Sequence, residues 1–560
     1  MSARITSMNL YLRTLRYFRF GQLIALFRNR LFPIRKNYPS KPVTVRDQIE
    51  FDSPLLRPEL GEHAFCPDIG FLNQNIVMPI EQLDWRCPEQ TRLWRYNLHY
   101  FDYLLWGQLP EARKCKLIDS WIRSNPLWTK DAWDPYPVSL RLVNWVKYGF
   151  QLDKPMPEQW LSSLAQQAAF LFDHLEVHIQ ANHYLKNIKA LIFCGVFLQG
   201  TRANKLLDRG LALLSDQLKE QFLDDGGHYE LSPMYHLIAT EDILDLYNLA
   251  KCNAHLFDPI VTAQLLEVCI QSLDFVDSIL HPDGEIPFFN DSALGIAARP
   301  AALFEYASRL MQYQRSVSPK KKLPHSGYFV MSDHRSHMIV DCGPINPDYQ
   351  PGHTHCDMLS FELSVNGQRV FVNSGVYDYE DSDERRYCRS VQAHNTLSVG
   401  GAEQSELWQV FRVARRAHIV QADFEETPSG FVFSGELEGF PTLNEPVRHR
   451  RDITYQPSGR FVVKDSVTGQ GDFRVESFLH VHPDMRIHQG EKHLDILDSK
   501  SQVLTRLHHT TQVECFVCDG FYYPEFGQRL ENQCVKFSAL QALPFTFEFQ
   551  IETDPKSGQI

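Results

Sequence analysis

The pattern of apolar and polar positions divides this chain into a helical part and a strand-like part. Between about residues 90 and 315, apolar residues recur at helical spacing, as in Leu185–Ile192. From Ser326 onward they fall into short runs rich in β-branched and aromatic residues, such as Arg369–Val372. A run of helices followed by a run of strands predicts an all-α domain joined to an all-β domain.

A polar, basic stretch at residues 313–325 separates the two patterns. The chain has 560 residues, which is too many for one hydrophobic core. We therefore predict three parts: a basic N-terminal helical segment at residues 1–50, a helical domain at 51–320 and a β domain at 326–560.

The N-terminal segment has an unusual charge. Its first 46 residues contain ten Lys or Arg and no Asp or Glu, with apolar residues interleaved. Arg13, Arg16 and Arg19 interrupt any apolar stretch, so the segment does not resemble a secretory signal. Three interpretations remain: a helix packed on the main domain with its arginines outward, a basic amphipathic helix on an anionic membrane surface, or an organellar transit peptide.

Charge and cysteine content narrow the partners and the compartment. The formal net charge of −12 argues against a nucleic-acid partner. Twelve scattered cysteines suit a reducing compartment. We therefore predict a cytoplasmic protein, with peripheral contact to the inner membrane face through residues 4–36 as a further hypothesis.

The segment Pro351–Leu363 carries the most specific chemistry. From Leu359 onward apolar and polar residues alternate, which predicts a half-buried antiparallel strand. His353, His355 and Asp357 would share one face of an extended chain just before that strand. Such a cluster holds a metal or moves protons, although a solvated strand entrance with incidental histidines is the simpler alternative.

Three other segments combine polar and aromatic residues in the same way: Ala181–Asn187, Asp224–His236 and Arg385–Thr396. Asn182 and His183 place an amide beside an imidazole in a predicted helix. Pro233 predicts a new helix start, which brings Tyr235 into its first turn.

Taken in order, these motifs resemble those of the heparinase II/III and alginate-lyase polysaccharide lyases. The resemblance rests on Ala181–Asn187, Ser232–His236, Gly352–Phe361 and Ala393–Thr396, and it extends over about residues 90–500. Trp94–Tyr103 and Pro135–Trp145 resemble the branch found in bacterial surface-polysaccharide gene clusters. The family implies an incomplete (α/α) toroid followed by an antiparallel β-sandwich, which agrees with the pattern above.

The resemblance also implies a reaction, β-elimination on a uronate-containing glycan. Removal of the C5 proton next to the sugar carboxylate builds a dianion, which Asn182 and His183 would stabilise. Tyr235 and His353 match the pair that moves protons. Because a tyrosine with an ordinary pKa near ~10 is a poor base, a nearby cation would have to lower its pKa. The candidates for that cation are His236, Arg386 and Arg389.

Some members of the family hold a structural zinc ion behind the site. His355 and His394 match its two imidazole ligands, whereas the acid ligand falls on Asn373. An amide is a poorer zinc ligand than a carboxylate. Either the metal binds more weakly, or Asp357 substitutes, or the site is a hydrogen-bonded cluster. No organic cofactor is implied.

Aromatic residues of the helical part are candidates for stacking on sugar rings. Trp94, Tyr96, Tyr100, Trp133 and Tyr136 occur with Arg141, a possible partner for a uronate carboxylate. Packing in the helical core is the alternative interpretation.

We therefore predict a polysaccharide lyase linked to bacterial exopolysaccharide or capsule metabolism, with an anionic poly- or oligosaccharide as its partner. Two alternatives remain open. A uronate C5 epimerase uses the same proton abstraction, and a non-catalytic glycan-binding scaffold uses none of it. Paired carboxylates and the H-E-x-x-H motif of hydrolases do not occur.

Overall fold

The computed structural model describes residues 2–39, 42–55, 68–77, 83–106, 109–428, 430–456, 458–491 and 493–555. The helices in these ranges are α1 Ser2–Leu15, α2 Phe20–Leu31, α3 Arg92–Tyr100, α4 Glu111–Ser124, α5 Pro135–Gln151, α6 Glu158–Asp173, α7 Ala181–Phe197, α8 Thr201–Gln221, α9 Pro233–Cys252, α10 Pro259–Ile279, α11 Pro300–Met311 and α12 Asp383–Arg389.

The strands in the described part of the chain are β1 Asp68–Phe71, β2 Gln74–Val77, β3 Lys322–Leu323, β4 Tyr328–Ser332, β5 Ser336–Asp341, β6 Phe361–Val365, β7 Gln368–Phe371, β8 Leu397–Val399, β9 Leu407–Trp408, β10 Arg412–Val413, β11 His418–Thr427, β12 Gly430–Gly439, β13 Val447–Gln456, β14 Arg460–Thr468, β15 Asp472–His480, β16 Arg486–Gln489, β17 His493–Leu497, β18 Val503–His509, β19 Glu514–Tyr522, β20 Leu530–Ala542 and β21 Phe545–Glu552. The predicted order, helices first and strands afterwards, is confirmed.

The helical domain is built from antiparallel neighbours that share one apolar core. α7 and α8 approach closely, because a Cβ on Gly195 would lie only 2.5 Å from the backbone nitrogen of Leu207. At the start of α9, the Ser232 hydroxyl accepts a hydrogen bond from the Tyr235 backbone N–H, and Pro233 occupies the first turn. The predicted start of this helix is thus confirmed.

Among the described residues one helix, α10, is long and apolar enough to cross a membrane by length and composition alone. Leu265 and Leu273, on one of its faces, are buried in the helical core. Near its C-terminal end, Asp277 accepts a hydrogen bond from the Arg315 Nε at 2.7 Å. In this structure α10 packs against α9 and α8 of the helical domain.

The β domain contains three larger antiparallel sheets. A five-stranded sheet has the order β3-β4-β5-β6-β7, and an eight-stranded sheet has the order β11-β12-β13-β14-β21-β18-β17-β16. A four-stranded sheet, β19-β20-β15-β8, lies beside them. Apolar side chains of all three sheets, including Phe329, Phe433 and Phe537, form one buried cluster. Packed antiparallel sheets of this kind form a β-sandwich.

The five-stranded sheet packs against the helical domain, and this corrects one prediction. β6 is buried on both faces, not on one. The Glu362 carboxylate accepts a hydrogen bond from the Phe288 backbone N–H at 2.8 Å and lies 3.0 Å from His281 Nε2. The polar face of the strand is therefore an interface between domains, which the alternating pattern alone could not distinguish from a solvated face.

Candidate active site

The helical domain contributes three side chains to the interface between the two domains. Asn182 lies in the first turn of α7, Glu230 lies in the loop before α9, and Tyr235 lies in the first turn of α9. The Ser232 hydroxyl also donates a hydrogen bond to the backbone carbonyl of Asp291 at 2.6 Å. This contact ties the start of α9 to the loop that follows α10.

The β domain contributes His353, in the loop before β6. Its Nδ1 lies 2.9 Å from Asp291 Oδ2, and its backbone carbonyl accepts a hydrogen bond from the Asp291 backbone N–H at 3.0 Å. Since a carboxylate only accepts hydrogen bonds, the hydrogen of the neutral ring lies on Nδ1 and the lone pair on Nε2. The other oxygen, Oδ1, lies 2.7 Å from His355 Nε2. One buried carboxylate thus orients both histidines of the motif.

Asp291 is held ionised by its neighbours. Burial alone would raise the pKa of this carboxyl, but Arg385, His353 and His355 hold the pKa well below its ordinary value. Arg385 pairs with both carboxylate oxygens, at 3.0 Å between Nη2 and Oδ2. The result is a fixed negative charge directly behind His353.

Tyr235 and His353 form one of the contacts between the two domains. Their rings are stacked with centroids 3.7 Å apart, and the Tyr235 hydroxyl lies 3.2 Å from the Tyr379 hydroxyl. Burial, together with Tyr379, Asp291 and Glu230, raises the pKa of Tyr235 well above its ordinary value. The expectation that a cation lowers this pKa is therefore wrong, because burial and the neighbouring negative charges both raise it.

The three cations proposed for that role lie elsewhere. His236 Nε2 faces the backbone carbonyl of Ser272, and burial lowers its pKa to about 4. The exposed Arg386 pairs with Asp381 and Asp383.

Arg389 is buried and donates to backbone carbonyls, including that of Thr354. Direct contact of His236 and Arg389 with a substrate is contradicted by their burial. The cation beside the site is Arg385, the neighbour of Arg386 in sequence.

Asn182 and Glu230 form a buried pair next to His353. The Asn182 Nδ2 lies 3.1 and 3.0 Å from the two Glu230 oxygens, and Glu230 Oε1 lies 3.6 Å from His353 Nε2. The Asn182 Oδ1 is buried without a hydrogen-bond partner among the described residues. Burial raises the pKa of Glu230, and His353 and Asn182 offset this only in part.

His183 points toward the aromatic part of the helical domain. Its Nδ1 lies 3.1 Å from Glu176 Oε1, and its ring lies 4.1 Å from the ring of Tyr136. Tyr100 and then Tyr96 continue this row of rings from Tyr136. Tyr136 is half-buried and lies within electrostatic reach of Tyr235. The row of rings therefore ends beside His183.

Three of the predicted sugar-contacting residues do not face the cleft. Trp94 and Arg141 are fully buried, and Trp133 is nearly so. The Trp94 indole N–H donates to the carbonyl of Gln74, and Arg141 donates to the carbonyls of His99 and Ala132. The structure contradicts substrate contact for these three residues, because packing of the helical core consumes their polar groups.

His355 and His394 form a second cluster behind His353. Ligand atoms of these two residues and of Asp357 all lie within 4.8 Å of one another, and all three side chains are buried. Burial lowers the pKa of His355 to about 4 and that of His394 well below its ordinary value, so both rings are neutral. Neutral imidazoles are the form that binds metals.

The hydrogen bonds of this cluster fit a metal site. The Nε2 of His355 donates to Asp291, and the Nε2 of His394 donates to the carbonyl of Cys388 at 3.0 Å. Each ring thereby keeps a buried Nδ1 without a partner among the described residues. Metal-binding histidines typically donate their outer N–H in this way. Asn373 instead accepts a hydrogen bond from the Asn395 backbone N–H, so Asp357 is the acid of the cluster.

Sequence reasoning missed Glu230, Asp291, Tyr379 and Arg385. Asp291 follows Asn290 after an apolar stretch, and an Asn-Asp pair in that position is typical of an ordinary turn. Glu230 lies five residues before Tyr235, but no periodicity links a loop residue to a helix face. Arg385 and Arg386 are adjacent, and only the orientation of α12 decides which one faces the cleft.

Two family models match this chain over most of its length. The model of the heparinase II/III N-terminus matches residues 115–314, and the heparinase II/III-like C-terminal model matches residues 315–546. The chain is 27% identical over 475 residues to a heparin-sulfate lyase of Pedobacter heparinus, covering 77% of this chain and 68% of that one. It is 24% identical over 480 residues to the heparin-sulfate lyase of Bacteroides stercoris, covering 75% and 68%.

Solved structures share the fold. A crystal structure of heparinase III superposes with a TM-score of 0.66 at 19% identity, over 84% of this chain and 78% of that one. The heparan sulfate lyase HepC from Pedobacter heparinus gives a TM-score of 0.55 at 17% identity, over 95% and 87%. The predicted toroid followed by a β-sandwich is thus confirmed. The chain belongs to the heparinase II/III-like family of polysaccharide lyases.

Proposed function

We propose that this lyase cleaves a uronate-containing polysaccharide by β-elimination in the cleft between its two domains. The observation that carries the proposal is the stacked pair of Tyr235 and His353, with a free imidazole nitrogen beside a neutral phenol. β-Elimination needs a base at C5 and an acid at the glycosidic oxygen on C4, and such a pair supplies both.

His353 is the proposed base. Its Nδ1 hydrogen is held by Asp291, which leaves the Nε2 lone pair to accept the C5 proton. The electrons of that C–H bond form the C4–C5 double bond as the C4–O bond breaks. The negative charge of Asp291 then stabilises the imidazolium that forms.

Tyr235 is the proposed acid. Its raised pKa keeps the phenol protonated at neutral pH, so the hydroxyl has a proton to give to the leaving oxygen. The Tyr379 hydroxyl at 3.2 Å is placed to stabilise the phenolate by a hydrogen bond. The products are a shortened chain and a chain whose new non-reducing end is an unsaturated uronate.

Asn182 and Glu230 are the proposed receptors of the uronate carboxylate. That carboxylate is attached to C5, and Glu230 lies 3.6 Å from the proposed base, so binding there presents the C5 proton to His353. The bound uronate carboxylate raises the pKa of Glu230 further. Glu230 and the uronate together then retain one proton. A protonated Glu230 donates to Asn182 Oδ1, and the amide turns its N–H₂ toward the substrate. This arrangement also gives the Oδ1 atom the partner it lacks.

We propose a substrate with few or no sulfate groups, although the similar proteins named above are heparin-sulfate lyases. Three cations in the described part of the chain near the site are already paired: Arg385 with Asp291, and Arg92 and Arg95 with Asp131. A strongly sulfated chain would need unpaired arginines or lysines. Carboxylate-only exopolysaccharides therefore suit the charges better, as does the resemblance of Pro135–Trp145 to proteins of surface-polysaccharide clusters.

We also propose that His355, His394 and Asp357 hold a structural zinc ion. Two neutral imidazoles with unpartnered nitrogens and a carboxylate provide three of the four ligands of a tetrahedral site. A bound ion would supply a fixed cross-link behind His353, through His355 and Asp291. His353 and Tyr235, not the ion, perform the proposed proton transfers.

A reducing compartment, the bacterial cytoplasm, is the proposed location. All eleven cysteines in the described part of the chain are free thiols. Their burial raises the pKa of several of them, such as Cys194, which keeps them unreactive.

One assay tests the proposed reaction. The purified protein is incubated with a panel of uronate polysaccharides, sulfated and unsulfated, and the absorbance of unsaturated uronate is followed. A rise with an unsulfated chain is expected. Exchange of the C5 hydrogen without that rise would indicate an epimerase, and binding without either change would indicate a scaffold.

A further inference from the structure

The two N-terminal helices show an apolar surface to the solvent. In α2, Phe20, Ile24, Phe27 and Leu31 recur at helical spacing, and all four are exposed. Phe20 is 78% exposed and Phe27 is 65% exposed. A surface helix of a globular protein normally turns its apolar stripe toward the core. In α2 the apolar stripe faces outward.

The inner face of α2 is instead small and polar. Gln22 and Ala25 are its buried residues, and the Gln22 amide donates to the carbonyl of Tyr349 at 3.4 Å. Arg19, at the start of the helix, lies 3.7 Å above the Tyr349 ring and pairs with Glu220. These contacts fix the orientation of α2, so the exposed stripe is a consequence of how the helix docks.

α1 is attached to the β domain in the same manner. The Thr14 hydroxyl accepts a hydrogen bond from the Trp408 indole at 3.0 Å, and Arg13 pairs with Glu406 at 2.9 Å. Leu12, on the opposite side, is exposed. Side chains of residues 2–7 lie outside the described part of this helix. Both helices thus dock through polar and ring contacts and leave apolar residues outside.

The charge around this surface is positive. Arg28, Arg30 and Arg35 are exposed and form no ion pair with any described residue. The first 46 residues carry ten basic residues and no acidic one, whereas the whole chain has a net charge of −12. An acidic protein is repelled by an anionic surface, so a basic, apolar segment at one end gives it a single favourable orientation.

We propose that α1 and α2 form a peripheral binding surface for an anionic lipid bilayer. Exposed phenylalanines and leucines flanked by arginines are the chemistry of an interfacial amphipathic helix: the apolar face enters the acyl boundary and the cations contact phosphate groups. A second copy of this chain is a poorer occupant, since two such basic surfaces would repel each other.

The surface is attached beside the active site. Trp408, in β9, packs on Tyr11 with ring centroids 4.8 Å apart, whereas Phe411, three residues later, lies 5.0 Å from Tyr379 and 6.3 Å from His353. The β9–β10 hairpin therefore connects the N-terminal helices to the cleft. A membrane-bound molecule would act on glycan held close to the bilayer.

The test is cosedimentation of the full chain with vesicles of phosphatidylcholine alone or mixed with phosphatidylglycerol. Binding to the mixed vesicles and little binding to the neutral ones are expected. Raising the ionic strength from about 0.1 M to about 1 M shortens the Debye length from ~10 Å to ~3 Å and should weaken this binding. A wild-type protein that stays in the supernatant with anionic vesicles at low salt overturns the proposal.

Variants locate the surface. Phe20→Ser with Phe27→Ser should lower the affinity for anionic vesicles by about tenfold or more, because two apolar anchors are lost. Phe516→Ser with Leu540→Ser, two exposed apolar residues of the four-stranded sheet, is the matched control and should bind normally. An equal loss of vesicle affinity in both double variants would contradict the assignment of the binding surface to α1 and α2.

A second pair of double variants tests the role of the exposed arginines. Arg28→Gln with Arg30→Gln should reduce the preference for anionic over neutral vesicles, and Arg202→Gln with Lys205→Gln, on exposed positions of α8, should not. Lyase activity on a soluble oligosaccharide should be unchanged in all four pairs, so this inference can fail independently of the proposed reaction. A concentration-dependent dimer that Phe20→Ser with Phe27→Ser abolishes would identify a second copy as the occupant and refute the membrane proposal.

Discussion

The Nδ1 atom of His353 lies 2.9 Å from Oδ2 of Asp291, a residue that belongs to the other domain and precedes it by 62 positions. The contact fixes the tautomer of the imidazole and places a negative charge behind it. Because the same carboxylate also reaches His355 and Arg385, it joins the proposed proton-transfer pair to the proposed zinc site. The predictions below follow from this arrangement.

Asp291→Asn should impair catalysis through His353. The amide no longer dictates which ring nitrogen carries the hydrogen, so we expect kcat to fall by ~10²-fold or more. The buried Arg385 also loses its partner, which costs roughly 3–5 kcal/mol of stability. Steady-state kinetics and the unfolding midpoint measure the two effects. Asp283→Asn, whose carboxylate pairs with Arg369, is the control and should leave kcat unchanged. Full activity of Asp291→Asn would refute the orienting role.

Tyr235→Phe should fold normally and lose ~10²-fold or more in kcat, because the ring keeps its stacking on His353 while the transferable proton is gone. The absorbance of unsaturated uronate measures the loss. Tyr247→Phe, three turns along α9, is the matched control. Near-normal elimination by Tyr235→Phe would move the acid role to another group, with Tyr379 as the first candidate.

Glu230→Gln should change the pH dependence. The raised pKa of Glu230 means that its protonated form stabilises the fold fully below its ordinary pKa, and that this stability is lost as pH rises through the raised value. A glutamine keeps the neutral form at every pH. The unfolding midpoint of the variant, relative to wild type, should therefore increase as pH rises.

The same variant tests the proposed receptor. If a protonated Glu230 orients Asn182, kcat/KM of the wild type should decline as pH rises through the pKa of Glu230, and Glu230→Gln should lack that decline. Asn182→Ala should cost ~2.7–4 kcal/mol of transition-state stabilisation at every pH. A decline that persists unchanged in Glu230→Gln would assign it to another group.

Metal analysis of the purified protein should find zinc at a ratio of about one per chain, and a chelator should lower the unfolding midpoint. His394→Ala and Asp357→Asn should each lower the metal content. Asn373→Ala should not, because the Asn373 side chain is engaged by Asn395 and Ser360. Retention of zinc by Asp357→Asn would exclude Asp357 as a ligand. A purified protein without zinc, with a midpoint indifferent to the chelator, would instead indicate a hydrogen-bonded cluster.

Tyr136→Ala should raise KM with little loss of stability, because this half-buried ring ends the aromatic row beside His183. Trp94→Ala should instead destabilise the fold by ~3–5 kcal/mol, since the indole is fully buried in the helical core. Kinetics and chemical unfolding separate the two effects. An unchanged KM in Tyr136→Ala would remove it from the binding surface.

The sequence by itself determined the order of the domains and three residues of the candidate site. Helical and alternating periodicities are local, so the helices and strands, and the helix start at Pro233, could be predicted from neighbouring residues. The motifs also identified Asn182, Tyr235 and His353, because each lies in a short segment with an unusual combination of residues.

Only the tertiary structure decided the charges that surround those residues. Asp291, Glu230 and Arg385 come from loops and a short helix whose orientation depends on how the two domains pack, and a pKa depends on burial and on neighbours that are distant in sequence. For the same reason, the alternating strand β6 proved to be buried on both faces. The outward stripe of α2 likewise follows from its docking, because a helical pattern identifies an apolar face but not the surface that covers it.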